Sequence, residues 1–290
     1  MKTKQIEAVL TPPPAHWVGD GFKVHNFFPG TPIGIRRMSP FFLLDYNAKM
    51  TVPPSAQQRG VGAHPHRGFE TVTIAYKGKV AHHDSTGNSG IIGEGDVQWM
   101  TAGAGILHKE YQEEAFSRAG GPFQMVQLWV NLPAKDKMTA PGYQALTAAE
   151  MGKVALPDNG GEIRIIAGSY EGTAGPARTF SPLNVYNAHL NAGGKASFSF
   201  PETDNTALLV IEGKVKVNGE AIAPENNFVL FKNEGTDFEI EGMDQSIVLV
   251  LSGEPINEPI AQYGPFLMNT QEQIQQAIVD FQYGQFGELE

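Results

Sequence analysis

The sequence predicts an all-β protein whose two similar halves each form a barrel or sandwich, followed by one C-terminal helix. Short runs of β-branched and aromatic residues recur between Gly, Pro and Asn, which is the pattern of strands joined by tight turns. The 290 residues include 33 Gly and 20 Pro, as many turns require. Hydrophobic residues make up 41% and charged residues 18%, so the chain can bury a core.

The first half contains four runs with the composition of strands. Each is bounded by Gly, Pro or Asn, at the spacing expected of a sandwich or barrel. The runs are Phe41–Tyr46, Thr71–Tyr76, Asp96–Met100 and Phe123–Leu132.

The second half repeats part of this order, which indicates a duplicated domain. Ala207–Ile211 leads into a Gly-Lys-Val turn that lies 135 residues after the one following Thr71–Tyr76, and Asn227–Phe231 echoes Asp96–Met100. Pro and Gly cluster between 133 and 160, so we expect the boundary there, with domains at 1–135 and 136–290. The short stretch 147–152 predicts a helical turn.

The C-terminal segment has the pattern of an amphipathic helix. Thr270 is a candidate N-cap with Gln273 three residues later, the arrangement of a capping box. An apolar stripe at i, i+3, i+4 and i+7 follows, and Gly284 is a plausible stop. The members of the stripe are Ile274, Ala277, Ile278 and Phe281.

Composition excludes several functional classes. The net charge is −10, which disfavours direct nucleic-acid binding. The chain has no Cys, so disulfides, thiolate metal sites and thiol nucleophiles are excluded. We read no signal peptide before Trp17 and no apolar stretch near the roughly 20 residues of a membrane span, so we expect no membrane association and a cytoplasmic protein.

Histidines are concentrated in one part of the chain. Of the eight, five fall between positions 64 and 108. His64-Pro65-His66 places two imidazoles at i and i+2, and alternate residues of an extended segment point to the same face. Both rings can therefore reach one ion, and Pro65 stiffens the pair.

A second pair of candidate ligands follows a turn rich in small residues. His108-Lys109-Glu110 repeats the i, i+2 spacing and offers one imidazole and one carboxylate on a common face. Gly103 and Gly105 precede it and let the backbone turn tightly. Two such pairs on neighbouring strands would supply three nitrogens and one oxygen, a set that suits Fe, Mn, Ni, Cu or Zn rather than Ca or Mg.

Other polar residues near this region have different expected roles. His82 and His83 are adjacent, so they cannot both serve one ion, and we interpret them as surface residues beside the 84–90 loop. Glu70 follows His66 by four residues and, if the strand continues, shares its face. We expect Glu70 to hold an imidazole in place, with metal ligation as the alternative. His189 is expected to be structural.

Three segments resemble the pirin family of the cupin superfamily. His64–Thr73 (HPHRGFETVT) is similar to the N-terminal signature of pirins, and Gly34–Phe41 and Gly264–Thr270 agree with it. The spacing departs from the general cupin motifs. In the second motif Glu110, two residues after His108, offers a ligand, which is the pirin arrangement rather than the general cupin one. The resemblance extends over nearly the whole chain, from about residue 30 to residue 284.

The resemblance implies two tandem cupin β-barrels with one metal, usually Fe(2+), in the N-terminal barrel. Carried over by motif, the metal ligands are His64, His66, His108 and Glu110. The second half reads Phe198-Ser199-Phe200 at the echo of the first pair, so its barrel is expected to bind no metal.

The resemblance also implies a function. Some pirins are similar to quercetin 2,3-dioxygenase, which opens a flavonol ring with O2 and releases carbon monoxide, so the expected partners are a small aromatic substrate and O2. Glu110 would then be the catalytic base. One alternative is a non-enzymatic, iron-dependent redox regulator that binds a transcription factor or metabolic enzyme, and another is a cupin whose metal only stabilises the fold.

Overall fold

The computed structural model describes residues 2–30 and 32–289, which form two compact units. We name the units after the residues that fill their interiors. The histidine lobe comprises the described residues of Pro14–Ile35, Phe41–Ala148 and Ile256–Glu290. The aromatic lobe comprises those of Met1–Pro13, Arg36–Pro40 and Ala149–Pro255.

The lobes therefore do not follow a single division of the chain. The segment before Pro14 groups with the aromatic lobe, and the segment after Pro255 groups with the histidine lobe. Domain bounds at 1–135 and 136–290 stay a prediction.

Strands form most of both lobes. In the first half they are β1 Ile6–Leu10, β2 His16–Val18, β3 Phe22–Phe28, β4 Phe41–Val52, β5 Gly60–His66, β6 Phe69–Lys77, β7 Val80–Asp84, β8 Ser89–Ile92, β9 Val97–Thr101, β10 Ile106–Gln112, β11 Gly121–Asn131 and β12 Gly142–Leu146. In the second half they are β13 Gly152–Ala155, β14 Gly161–Ala167, β15 Ser169–Tyr170, β16 Thr173–Ala174, β17 Leu183–Leu190, β18 Lys195–Ser199, β19 Asn205–Glu212, β20 Lys214–Val217, β21 Ala221–Pro224, β22 Phe228–Phe231, β23 Asp237–Gly242, β24 Ser246–Gly253, β25 Ala261–Tyr263 and β26 Phe266–Met268. The helices are α1 Glu114–Ala119 and α2 Gln271–Gln282, with 3-10 turns at Ala134–Asp136 and Pro157–Asn159.

The histidine lobe is built from two main antiparallel sheets. A seven-stranded sheet has the order β12-β9-β6-β11-β4-β3-β2, and a four-stranded sheet has the order β5-β10-β7-β8. Apolar side chains from both sheets form a buried cluster that includes Phe22, Val80, Phe123 and Met125. The two sheets thus enclose an interior that is partly apolar. The polar residues of the candidate site, described below, occupy the rest of this interior.

The aromatic lobe has the same layout. Its seven-stranded sheet runs β1-β22-β19-β24-β17-β14-β13, and its four-stranded sheet runs β18-β23-β20-β21. The echoed runs of the sequence occupy corresponding places, because β6 and β19 are the third strands of their sheets and β9 and β22 the second. The predicted all-β fold of two tandem cupin barrels with a C-terminal helix is confirmed.

The C-terminal helix begins as the sequence predicts. The Thr270 side chain accepts a hydrogen bond from the Gln273 backbone, and the Gln273 side chain accepts one from the Thr270 backbone, which completes a capping box. Ile274 and Ala277 are buried with residues of β25 and β26. None of the helices in the described part of the chain is long and apolar enough to cross a membrane.

One short helix differs from the prediction. Residues 148–150 form a turn within the stretch 147–152, for which a helical turn was expected. The helix α1 was not predicted, because its one and a half turns are too short for a clear apolar period. Its N-cap is Glu113, whose carboxylate accepts hydrogen bonds from the backbones of Ala115 and Phe116.

Candidate metal centre

Two neighbouring strands of the four-stranded sheet bring three histidines together. On β5 and β10, His64 and His108 are directly opposite, and His66 lies two residues along β5 on the same face. The ring centroid of His108 is 4.3 Å from that of His64 and 4.7 Å from that of His66. One ligand atom from each of the three rings lies within 4.8 Å of the other two, which is the separation needed to share an ion.

Burial disfavours the charged form of two of these imidazoles, those of His66 and His108. His66 and His108 are almost fully buried, and this burial lowers the pKa of each well below its ordinary value. The neighbouring His64 lowers the pKa of both further, and a hydrogen bond with the Pro265 backbone opposes the shift at His66. The neutral imidazole is the form that binds metals.

The free nitrogens of the cluster fit a divalent transition metal. His64 donates from Nδ1 to the Gly62 carbonyl at 2.8 Å, which leaves its Nε2 as the ligand atom. Nδ1 of His66 and Nε2 of His108 are buried without a hydrogen-bond partner among the described residues. A buried polar atom without a partner costs about 1–3 kcal/mol, and a metal bound by these nitrogens would remove that cost.

Glu110 lies beside the cluster and is held by three donors. Its Oε1 accepts hydrogen bonds from Thr73 Oγ1 at 3.0 Å and from the Gln98 amide, and its Oε2 accepts one from Gln127 Nε2 at 2.6 Å. The carboxylate is not among the atoms within 4.8 Å of one another in the described histidine group. Coordination of a metal by Glu110 therefore stays a prediction.

A cavity of about 230 Å³ adjoins these residues. Its polar part is formed by His64, His66, Glu110, Asp45 and Gln127. Its remaining wall is mainly apolar, with Val18, Phe22, Val24, Val61, Met125 and Trp129 contributing. The arrangement suits an aromatic molecule that presents a polar edge to the histidines.

The interpretation of His82 as a surface residue is wrong. His82 is completely buried, and its ring stacks on Tyr143 with a centroid distance of 4.9 Å and an interplanar angle of 13°. Its Nδ1 lies 3.4 Å from His108 Nδ1, and its Nε2 lies 3.1 Å from Asp84 Oδ2. Adjacent strand residues do point to opposite faces, but the face that holds His82 is the interior of the lobe, whereas His83 pairs with Tyr111.

Asp84 is a buried carboxylate at the far side of His82. Burial acts to raise its pKa, but hydrogen bonds from His82, Thr86 and Asn88 outweigh burial and lower the pKa to about 2. Asp84 is therefore ionised at neutral pH, and it accepts hydrogen bonds as a fixed anion.

The expectation that Glu70 holds an imidazole is also wrong. Chain direction changes between β5 and β6, where Gly68 has a φ of 89°, so parity does not carry over from His66. Thr73 reaches Glu110 inside the lobe, and alternation along β6 turns Glu70 to the other face of the sheet, where it accepts a hydrogen bond from Thr101 at 2.7 Å. Burial raises the pKa of Glu70 to about 7, although the hydrogen bond from Thr101 acts to lower the pKa.

The fold and the histidine cluster together define a class. Two lobes, each with a seven-stranded and a four-stranded antiparallel sheet, are paired cupin domains, and one of them encloses a candidate metal centre. The pirin family model matches residues 21–130, and the model of the pirin C-terminal cupin domain matches residues 185–287. The chain belongs to the pirin family.

Relatives in several organisms share most of this chain. A Pseudomonas aeruginosa protein named "Putative quercetin 2,3-dioxygenase PA2418" is 51% identical over 271 residues, which cover 93% of this chain and 94% of that protein. Pirin-like protein 2 of Arabidopsis thaliana is 37% identical over 86% of this chain and 76% of its own. The crystal structure of a quercetin 2,3-dioxygenase from Acinetobacter baumannii superposes with a TM-score of 0.93 at 47% identity, covering 99% of this chain and 100% of that one.

Proposed function

We propose that this pirin is a metal-dependent dioxygenase of the quercetin 2,3-dioxygenase type. In this proposal one divalent metal, Fe(2+), is held by His64, His66 and His108, with Glu110 as the fourth ligand. The names of the relatives from Pseudomonas aeruginosa and Acinetobacter baumannii support the reaction class. The metals Mn, Ni, Cu and Zn suit the same ligand set and are the alternatives.

One observation carries the proposal. Three imidazoles converge, two of them with buried nitrogens that have no other partner among the described residues, and two of the three line a mainly apolar cavity. A centre that only stabilised the fold would be enclosed by its own side chains, whereas an enzyme needs room beside the metal for a substrate. The cavity therefore favours catalysis over a purely structural role.

The proposed reaction joins a flavonol and O2. Both oxygen atoms enter the products: the central ring opens to an ester of two hydroxylated aromatic acids, and one ring carbon leaves as carbon monoxide. When bound, the metal supplies a Lewis acid for the substrate hydroxylate and a centre that reacts with O2.

The residues of the chain prepare the substrate for this reaction. Glu110 accepts the proton of the substrate hydroxyl, since a carboxylate beside the cavity is placed for general-base catalysis. Hydrogen bonds from Thr73, Gln98 and Gln127 hold that carboxylate in position. The apolar wall, with Trp129 and Met125, packs against the aromatic rings and keeps water from the reacting atoms.

Turnover of a flavonol tests the proposal directly. The protein is loaded with Fe(2+) without oxygen and mixed with quercetin in aerated buffer. Loss of flavonol absorbance, oxygen uptake and carbon monoxide release are expected in equal amounts. His66→Ala and Glu110→Ala should abolish all three, and His83→Gln, which changes a side chain on the opposite face, should retain them. A loaded wild-type protein that consumes no O2 with any flavonol would overturn the proposed reaction.

The regulatory alternative is not favoured, because the relatives from Pseudomonas aeruginosa and Acinetobacter baumannii carry the names of dioxygenases. It predicts a protein partner that is retained in only one oxidation state of the iron. Affinity capture with the Fe(2+) and Fe(3+) forms of an inactive but folded protein would detect such a partner.

A further inference from the structure

A line of side chains leads from one of the three clustered histidines to a buried carboxylate. His108 Nδ1 lies 3.4 Å from Nδ1 of His82, and Nε2 of His82 lies 3.1 Å from Oδ2 of Asp84. All three side chains are buried. The line crosses from β10 to β7, where Asp84 is directly opposite His108.

The direction of each hydrogen bond follows from the ionised end of the line. Asp84 Oδ2 can only accept, so His82 Nε2 carries a hydrogen and donates it. The two Nδ1 atoms face each other at 3.4 Å, so one must donate and the other accept; with the hydrogen of His82 on Nε2, its Nδ1 accepts from Nδ1–H of His108. Nε2 of His108 is left without hydrogen, and this is the nitrogen that has no partner among the described residues.

Contacts with neighbouring residues hold the side chains of Asp84 and His82 in place. Oδ1 of Asp84 accepts hydrogen bonds from the Thr86 backbone at 2.9 Å, the Thr86 hydroxyl at 2.6 Å and the Asn88 backbone at 3.1 Å. The His82 ring stacks on Tyr143, and Gly90 opposite His82 leaves the space for Tyr143, because a Cβ there would lie 2.3 Å from the tyrosine hydroxyl.

We propose that His82 and Asp84 are positioning residues that hold His108 in the tautomer and orientation required for a metal. The inference rests on the proposed metal site, but it concerns residues outside the ligand set. Partners of this kind commonly orient metal-ligating histidines, and their loss typically lowers metal affinity about 10- to 100-fold.

The first experiment needs no metal. In protein with 15N-labelled histidine, long-range 1H–15N correlation spectra show which ring nitrogen carries the hydrogen, and the His108 signals are assigned from their absence in His108→Ala. The wild type should show His108 protonated at Nδ1. Asp84→Asn presents an amide N–H to His82, which reverses the line and should move the His108 hydrogen to Nε2. A wild-type His108 protonated at Nε2 would overturn the proposal.

The second experiment measures affinity for Ni(2+) in competition with a chelator. Asp84→Asn and His82→Leu should each bind about 10- to 100-fold more weakly than the wild type. His82→Asn places an amide oxygen near the former Nδ1, so it should recover most of the affinity lost in His82→Leu. His83→Gln is the matched control on the neighbouring residue and should bind like the wild type.

The outcomes separate the two proposals. If the wild-type protein binds no Ni(2+), the metal site fails, and the spectra of the metal-free protein still test the positioning role. If the wild type binds one equivalent but His82→Leu binds equally well, the positioning role is overturned and the site stands. Circular dichroism of each variant shows that it is folded; if Asp84→Asn does not fold, the His82→Leu and His82→Asn pair decides.

Discussion

The two lobes have the same sheets with the same strand order, but the interior of one contains a histidine cluster and the interior of the other is filled with aromatic side chains. In the histidine lobe, β5 and β10 pair His64 with His108. In the aromatic lobe the corresponding strands, β18 and β23, pair Phe198 with Phe238. The ring centroids of these phenylalanines are 5.1 Å apart, close to the spacing of the histidine rings. One backbone arrangement therefore accepts either a candidate metal centre or an aromatic core.

The difference shows what a candidate site requires of a cupin interior. The aromatic lobe fills the space with Phe198, Phe200, Phe238, Tyr170 and Tyr186, whose packing needs few polar partners. The histidine lobe buries a carboxylate, and it uses the amides of Gln98 and Gln127 and the hydroxyl of Thr73 to satisfy the two oxygens of Glu110. A buried carboxylate therefore requires suitable donors at several other positions of the sequence, which an aromatic core does not.

Removing a histidine from the pair should have the largest effect. His108→Ala is expected to lose stoichiometric metal completely, because the cluster is left with two imidazoles, while the aromatic lobe keeps its fold. Metal analysis after dialysis checks this, with circular dichroism for the fold. The control is His189→Ala, a histidine of β17 in the aromatic lobe, which should retain one equivalent. Full metal occupancy in His108→Ala would contradict the assigned ligands.

Removing the corresponding phenylalanine should damage stability and spare the metal. Phe238→Ala opens a cavity in the packed interior of the aromatic lobe and should lower its free energy of unfolding by about 3–5 kcal/mol. Urea unfolding followed by circular dichroism measures the loss, and Phe238→Leu should lose less. If Phe238→Ala lost its metal while remaining folded, this would contradict the expectation that metal binding does not depend on the interior of the aromatic lobe.

Among the buried acids of the histidine lobe, Glu70 should make stability depend on pH. Glu70 has an ordinary pKa of 4.5 in the unfolded chain and a pKa raised by burial to about 7 in the fold. The folded state thus binds more protons between these values, so the contribution of Glu70 is fully present below pH 4.5 and is lost as the pH rises to 7. Relative to the wild type, Glu70→Gln should gain up to about 3 kcal/mol between pH 4.5 and 7. Unfolding curves across this range test it, and a constant difference would refute the raised pKa.

The smallest expected effect concerns the support of Glu110. Gln127→Met removes the donor to Oε2, and a hydrogen bond to a charged group contributes about 1.5–3 kcal/mol, so turnover of the flavonol should fall at least about tenfold with little change in metal content. Steady-state kcat and metal analysis measure the two. Gln124→Met is the control on the same strand, because Gln124 donates to the Tyr46 hydroxyl instead. Equal turnover in the two variants would argue against the role of Glu110 as a catalytic base held by Gln127.

Local patterns in the sequence were enough to predict two similar all-β halves and the C-terminal helix, whereas the cupin barrels were implied by the resemblance to pirins. The β-branched runs became β6 and β19, and the capping box of Thr270 begins α2 where the apolar stripe starts. The convergence of His64, His66 and His108 followed from the period of two along a strand, which needs only sequence spacing and the assumption that β5 and β10 are neighbours.

The errors arose where the outcome depended on three-dimensional context. Parity failed for Glu70 because the turn at Gly68 resets the alternation between β5 and β6. His82 was interpreted as exposed from its polar neighbours, but the ladder between β7 and β10 places it opposite Glu110, on the face that also holds His108. The spacing His-x-Asp of His82 and Asp84 was a signal available in the sequence, since residues at i and i+2 share a face.

The N-terminal segment belongs to the lobe formed mainly by the second half of the chain, and the C-terminal segment to the lobe formed mainly by the first half. This arrangement limits how the chain can be divided. Strand β1 completes the aromatic lobe by pairing with β22, and α2 packs within the histidine lobe although it is encoded last. A fragment starting at residue 136 would leave the outer edge of β22 open to other chains and carry an amphipathic helix without its binding surface. The aromatic lobe thus needs the first strand of the chain and the histidine lobe its last helix, so neither half of the chain contains all the elements of one lobe.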